Sequence, residues 1–120
     1  MRVLDGEQIL VRIFIGESDR WKGHPLADAL IERLRREGFA GATAFRGVSG
    51  FGAHSVLHTT SLLRLSEDLP VLIEIVDSDE KVQQLLSVLD EMVPEGLVTM
   101  EKVRVLKYAS SRKPAASGAD

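Results

Sequence analysis

The chain lacks cysteine altogether, which excludes disulfides, thiolate nucleophiles and cysteine-held metals. It also lacks an excess of positive charge. The formal net charge is −3, so the molecule as a whole exerts no long-range pull on nucleic acid or an anionic membrane. Long hydrophobic runs are missing too, because Arg12 and Glu74 interrupt the richest apolar stretches; nothing in the pattern is expected to span a membrane. The opening residues MRVLDGEQ place charges ahead of any apolar run, unlike a secretory leader. These absences predict a cytoplasmic protein that neither binds nucleic acid nor inserts into a membrane. What is present is ordinary globular composition, 44% apolar and 28% charged over 120 residues, enough for one domain around one core.

Periodicity divides the chain into alternating elements. Residues 1–7 read as a loose lead-in. From Gln8 to Ile15, Ile9, Val11, Ile13 and Ile15 share one face while Leu10 and Phe14 share the other with Arg12, the pattern of a central strand covered on both sides. Pro25 suits the first turn of a helix. Leu26, Leu30 and Leu34, with Ala27 and Ile31, mark its apolar face, and Gly38 ends it. Ala42 to Val48 reads as a second, weaker strand and Val71 to Val76 as a third. Asp77, with Glu80 three residues on, is the expected cap of a second helix, whose apolar residues are Val82, Leu85, Leu86, Leu89 and Met92. Leu97 to Tyr108 is the last strand. The domain is therefore drawn at 1–108, followed by a small, polar tail, ASSRKPAASGAD, over 109–120, expected to be disordered.

The order β-α-β-β-α-β predicts an α+β, ferredoxin-like sandwich: a four-stranded antiparallel sheet with two helices on one face. The first and third strands are expected in the centre, as parallel neighbours. Two helices cover one face only, yet Leu10, Phe14, Leu72 and Val76 make the opposite face apolar. Such a face predicts self-association, unless the tail or the long connection folds over it. Glu74, within an apolar strand, is expected either to be a buried carboxylate or to pair with Arg12 or Arg104.

Four segments in succession carry a family resemblance: GESDRWKGHPLADAL (16–30), GATAFRGVSGFGAHS (41–55), RLSEDLPVLIEIVDSDEKV (64–82) and GLVTMEKVRVLKY (96–108). Across about residues 8–108 the chain resembles the PII-like family catalogued as domain of unknown function 190. The resemblance implies a ferredoxin-like subunit, a homotrimer with its sheets facing inward, and a projecting loop after the second strand. It also implies effectors bound in clefts between subunits. One departure stands out. Where PII proteins carry a Gly-rich phosphate-binding stretch before the last strand, this chain has Val93-Pro94-Glu95-Gly96-Leu97, with one glycine and no lysine. That argues against ATP binding in the PII manner.

The candidate site residues fall in two places. The connection Gly50 to Asp68 is 19 residues long, beyond the usual length of a connection without a function. With Arg46 and Gly47 before it, it supplies Gly50, Gly52, His54, His58 and Arg64. Glycine backbone N–H groups can form an anion-binding nest, with Arg46 or Arg64 as the charged partner; the alternative is a plain surface hairpin whose glycines serve turns. His54 and His58 share one side in either helix or strand, so a metal site completed by Glu17, Asp19 or His24 is a second reading, against two unrelated loop histidines. The turn after the first strand holds Glu17, Ser18, Asp19, Arg20, Trp21, Lys22 and His24. Arg20 and Lys22 suit an anionic ligand and Trp21 a stacking partner, against a simple helix-entry turn. Asp19 and His24 supply an acid and a base, but no nucleophile motif accompanies them. The expected function is a homotrimeric regulatory protein for a small, anionic effector, with loop 50–68 as the switch or the contact for a partner protein. A divalent-metal-binding protein of the same fold, or a small enzyme, are the alternatives. No cofactor is identified.

Overall fold

The computed structural model describes residues 2–52 and 68–111. Within them the chain passes through β1 (Arg2–Val3), β2 (Gly6–Gly16), β3 (Arg20–Trp21), β4 (His24–Pro25), α1 (Leu26–Arg36), β5 (Thr43–Arg46), β6 (Pro70–Asp77), α2 (Asp79–Met92), β7 (Leu97–Val105) and β8 (Ala109–Ser110). The elements β2-α1-β5-β6-α2-β7 form the ferredoxin-like βαββαβ unit. Its sheet has the order β5-β6-β2-β7, and every neighbouring pair is antiparallel.

β2 and β6 are central, as their apolar content predicts, but they are antiparallel neighbours rather than parallel ones. Each helical crossover skips one strand, so the strand parallel to β2 is β5, two places away. Apolar alternation is the same read in either direction and carries no information on strand sense.

The core lies between the sheet and the helices. Val11, Ile13 and Ile15 of β2 and Val71, Ile73 and Ile75 of β6 pack against Leu26, Leu30 and Leu34 of α1 and Val82, Leu85, Val88, Leu89 and Met92 of α2. Burial of each such side chain contributes about 1.5–3 kcal/mol. Pro25 stands just before α1, whose first residue is tied down by the Leu26 N–H donating to the Asp19 carbonyl at 2.8 Å. Arg33, Arg35 and Arg36 lie in its last turn, where cations complement the helix dipole. The cap of α2 is Ser78, not Asp77: the Ser78 hydroxyl accepts from the Lys81 N–H at 3.2 Å.

Asp77 has a different task. It is fully buried at the end of β6. Its carboxylate accepts from the Arg2 guanidinium through both oxygens and from the N–H groups of Ala40 (2.8 Å) and Ser78 (2.7 Å). Residues 1–7 are consequently not a loose lead-in. β1 pairs with β8, the Leu4 N–H donates to the Tyr108 carbonyl, and the Tyr108 hydroxyl donates to the Ala40 carbonyl at 2.8 Å. The ordered chain thus continues past Tyr108, and Ala109 and Ser110 belong to this ribbon rather than to a tail. β5 and β7 are each shorter than their apolar spans, ending at Arg46 and Val105.

On the face away from the helices, register lines up Phe45, Leu72, Phe14 and Leu97 as one apolar row across all four strands. Its outer members, Phe45 and Leu97, are 48% and 56% exposed. The next row but one, at Leu10 and Val76, is better covered, with Leu10 buried. Between the two rows Arg12 bonds Glu74 at 3.0 Å and Glu101 at 2.6 Å. The hydrogen bonds that Arg12 donates to Glu74 and then to Glu101 hold its guanidinium above its ordinary pKa. Of the two expectations for Glu74, pairing across the sheet is the one realised.

Candidate functional site

The site is built where β2 ends and β6 begins. β2 runs out at Gly16, opposite Pro70, and the chain turns sharply. The Asp19 N–H donates to the Gly16 carbonyl at 3.2 Å, and the Gly16 N–H donates to an Asp19 carboxylate oxygen at 2.9 Å. Asp19 therefore serves the turn itself. The Glu17 N–H donates to the Leu69 carbonyl and the Ser18 N–H to Asp68 Oδ1, each at 2.8 Å. Gly16 is required by that contact: a Cβ there would lie 2.7 Å from both carboxylate oxygens of Asp68.

The other arm of the long connection leaves from β5 beside this turn. Arg46, the last residue of β5, forms an ion pair with Glu17 at 2.6 Å. The Gly47 N–H donates to the Pro70 carbonyl at 2.7 Å. Gly50 follows with φ of 136° and Gly52 beyond it is exposed. Of the predicted site residues, the structure thus brings Glu17, Ser18, Asp19, Arg46 and Gly47 together at the base of the loop. Arg20 lies in β3, exposed and without an ion-pair partner among the described residues. His54, His58 and Arg64 lie outside the described residues, as does most of the connection 50–68 and the chain from 112 onward. Sequence reading missed Gly16 and Asp68. A glycine closing an apolar strand was the available signal; its partner is 52 positions away.

Next to the turn, β3 and β4 form a tight hairpin through Lys22 and Gly23, both at positive φ (48° and 83°). The Lys22 ammonium stands 5.2 Å from the centre of the Trp21 ring. Trp21 packs on the core, and with His24, Asp28, Arg36 and Met92 it lines a shallow cavity of about 360 Å³ against α1. His24 belongs to that cavity, whereas Asp19 is engaged by Gly16. The structure gives the acid–base reading no shared bond. Among the described residues no three His, Cys, Asp or Glu side chains gather as metal ligands, and no helix is long and apolar enough to cross a membrane.

The segment before β7 has its own logic. Gly96 has φ of 145°, and a Cβ there would fall 2.8 Å from the Phe14 carbonyl oxygen. This lone glycine is explained by close packing on β2 and needs no bound phosphate.

Comparison with known proteins agrees with this architecture. A UPF0166 protein of Aquifex aeolicus strain VF5 is 36% identical over 106 residues, covering 88% of this chain and 98% of that protein. A UPF0166 protein of Methanocaldococcus jannaschii is 33% identical over 99 residues, 82% of this chain and 91% of the other. Among solved structures, CPII of Thiomonas intermedia K12, bound to ADP, AMP and acetate, superposes with a TM-score of 0.60 at 18% identity, covering 88% of this chain and 92% of that one. A Thermus thermophilus protein described as PII-like and signaling gives a TM-score of 0.57 at 23% identity, covering 88% and 94%. These structural likenesses establish the PII-like ferredoxin-type fold. The family model of DUF190 (Uncharacterized ACR, COG1993) matches residues 8–105, nearly all of the βαββαβ unit built above, and the chain belongs to that family.

Proposed function

We propose that the protein is a PII-like regulatory protein of the cytoplasm, acting by binding rather than catalysis. Its effector is a small anion held at the base of the long connection. The observation that carries this reading is the Arg46–Glu17 pair beside the Ser18 N–H and Asp68. One guanidinium, paired with Glu17, and the backbone donor of the next residue, Ser18, lie there, at the root of a 19-residue connection. A guanidinium with a backbone N–H is a common way to hold a carboxylate or phosphate. Support also comes from CPII of Thiomonas intermedia, whose structures hold ADP with AMP and acetate, or ADP with bicarbonate.

The protein acts as a homotrimer through its open sheet face, and the effector lies in the clefts between subunits. The row Phe45, Leu72, Phe14 and Leu97 supports this, since exposed apolar residues aligned across a sheet mark a contact surface. The loop 50–68 is the element through which binding reaches a partner protein.

Calorimetric titration with ADP and with bicarbonate tests the effector reading: wild type binds at least one, and Arg46→Ala weakens it by about 1.5–3 kcal/mol, the range for a charge-assisted hydrogen bond. Unchanged affinity in Arg46→Ala rejects the site. Light scattering tests the assembly. Three chains per particle are expected for wild type and fewer for Phe14→Asp, which places an unpaired charge in the contact. A monomeric wild type rejects the trimer.

A further inference from the structure

Two carboxylates of the chain already occupy the loop base. Glu17 holds the Arg46 guanidinium at 2.6 Å, and Asp68 accepts from the Ser18 N–H at 2.8 Å. The Asp68 carboxylate also fills the space that Gly16 leaves by having no side chain, 2.7 Å from where a Cβ would stand. Both donors suited to an anion are therefore engaged by anions of the protein itself. A ligand cannot simply add to this arrangement. It would meet two resident negative charges, an Arg46 cation already paired with Glu17 and a Ser18 N–H already bonded to Asp68.

The strength of those contacts decides what happens next. Arg46 is 53% and Glu17 33% exposed, and an ion pair so open to water is weak and easily exchanged. Asp68 Oδ1 accepts from the Ser18 N–H at the chain's re-entry into β6. A phosphate or carboxylate of a ligand offers both donors anionic acceptor oxygens like those of Glu17 and Asp68.

We propose that Glu17 and Asp68 are resident stand-ins for the effector's anionic group, which binds by taking Arg46 from Glu17 and the Ser18 N–H from Asp68. This rests on the effector site proposed above and adds its regulation. The affinity is set low by internal competition, and both arms of the long connection, leaving at Arg46 and returning at Asp68, are contacts that the ligand exchanges.

The test is calorimetry of wild type, Glu17→Gln, Asp68→Asn and Arg46→Ala with ADP, and with adenosine as the matched ligand lacking phosphate. Glu17→Gln is expected to bind ADP about three- to tenfold more tightly than wild type, the gain from removing a weak competing pair, and Asp68→Asn to move the same way. The gain should shrink as salt is raised and should be absent for adenosine. Glu17→Gln and Asp68→Asn binding ADP no more tightly than wild type, while Arg46→Ala loses affinity, overturns the competition and leaves the effector site standing. Arg46→Ala binding ADP like wild type rejects the effector site itself. No binding of ADP, or of bicarbonate in the titration above, by wild type or any variant rejects both, and an equal gain for adenosine overturns the competition, because the carboxylates would then act on something other than an anion.

Discussion

The two ends of β6 each carry an ion pair between an arginine and a carboxylate, and the pairs do different work. At the Asp77 end, Arg2 is 33% exposed and its partner 0%. The carboxylate accepts from Arg2, Ala40 and Ser78 together. At the Pro70 end, Arg46 and Glu17 are 53% and 33% exposed and meet side chain to side chain in water. Burial makes the difference. A carboxylate removed from water depends on every donor it has, so losing one is expensive. A pair in water can trade its partner for another ion. One pair clasps β1 to the end of β6, and the other stands at the effector site proposed above.

Mutation should separate them sharply. Arg2→Ala, leaving Asp77 buried without its cation, is expected to lower unfolding free energy by about 3 kcal/mol in a denaturant titration at fixed protein concentration. A loss below about 0.5 kcal/mol, the ordinary range for a surface change, would abolish the contrast. Ending the chain at Tyr108 removes β8 and its bonds to β1, with an expected loss of about 1–2 kcal/mol. An unchanged midpoint would show that the ribbon does not support the Arg2 clasp.

Smaller effects sharpen the other end. Lys22 holds φ of 48° in the hairpin beside the loop base, a conformation that costs a side chain about 1–2 kcal/mol and that asparagine or glycine adopts more readily. Lys22→Gly should therefore raise the melting temperature, with a gain of up to about 1 kcal/mol once the greater freedom of the unfolded glycine is set against it. A fall in melting temperature would mean that the Lys22–Trp21 contact outweighs the strain. Glu17→Gln is the smallest: stability should change by less than about 0.5 kcal/mol, even though its effect on ADP affinity is expected to be measurable. A large destabilisation would place the Arg46–Glu17 pair in the same class as Arg2–Asp77.

Most of the architecture is legible in the sequence alone. Alternation at Ile9, Val11, Ile13 and Ile15 and at Val71, Ile73 and Ile75 marked the two central strands, and leucines four apart marked the buried face of α1. The direction of the central strands could not be read, because a period of two has no sense. Nor could the caps of α2 be sorted: Asp77 and Ser78 are both good cap residues, and only the burial of Asp77 beside Arg2 leaves Ser78 with that role. At the candidate site, the expected residues Glu17–Asp19 and Arg46–Gly47 come to lie beside one another. Their meeting was not legible, nor was Asp68, because nothing local marks a residue whose partner is a backbone N–H 50 positions away.

The sequence by itself determined the six elements of the βαββαβ unit, their order, which face of each is apolar, and the absence of cysteine chemistry. These follow from local periodicity and composition, since neighbours along the chain share one strand or helix. The tertiary structure decided what pairs with what: Arg2 with Asp77, Arg12 with Glu74 and Glu101, Arg46 with Glu17, and Asp68 with the space beside Gly16. Those contacts join residues 29 to 89 positions apart, and their energies depend on burial, which exists only once the sheet and helices have closed around the core.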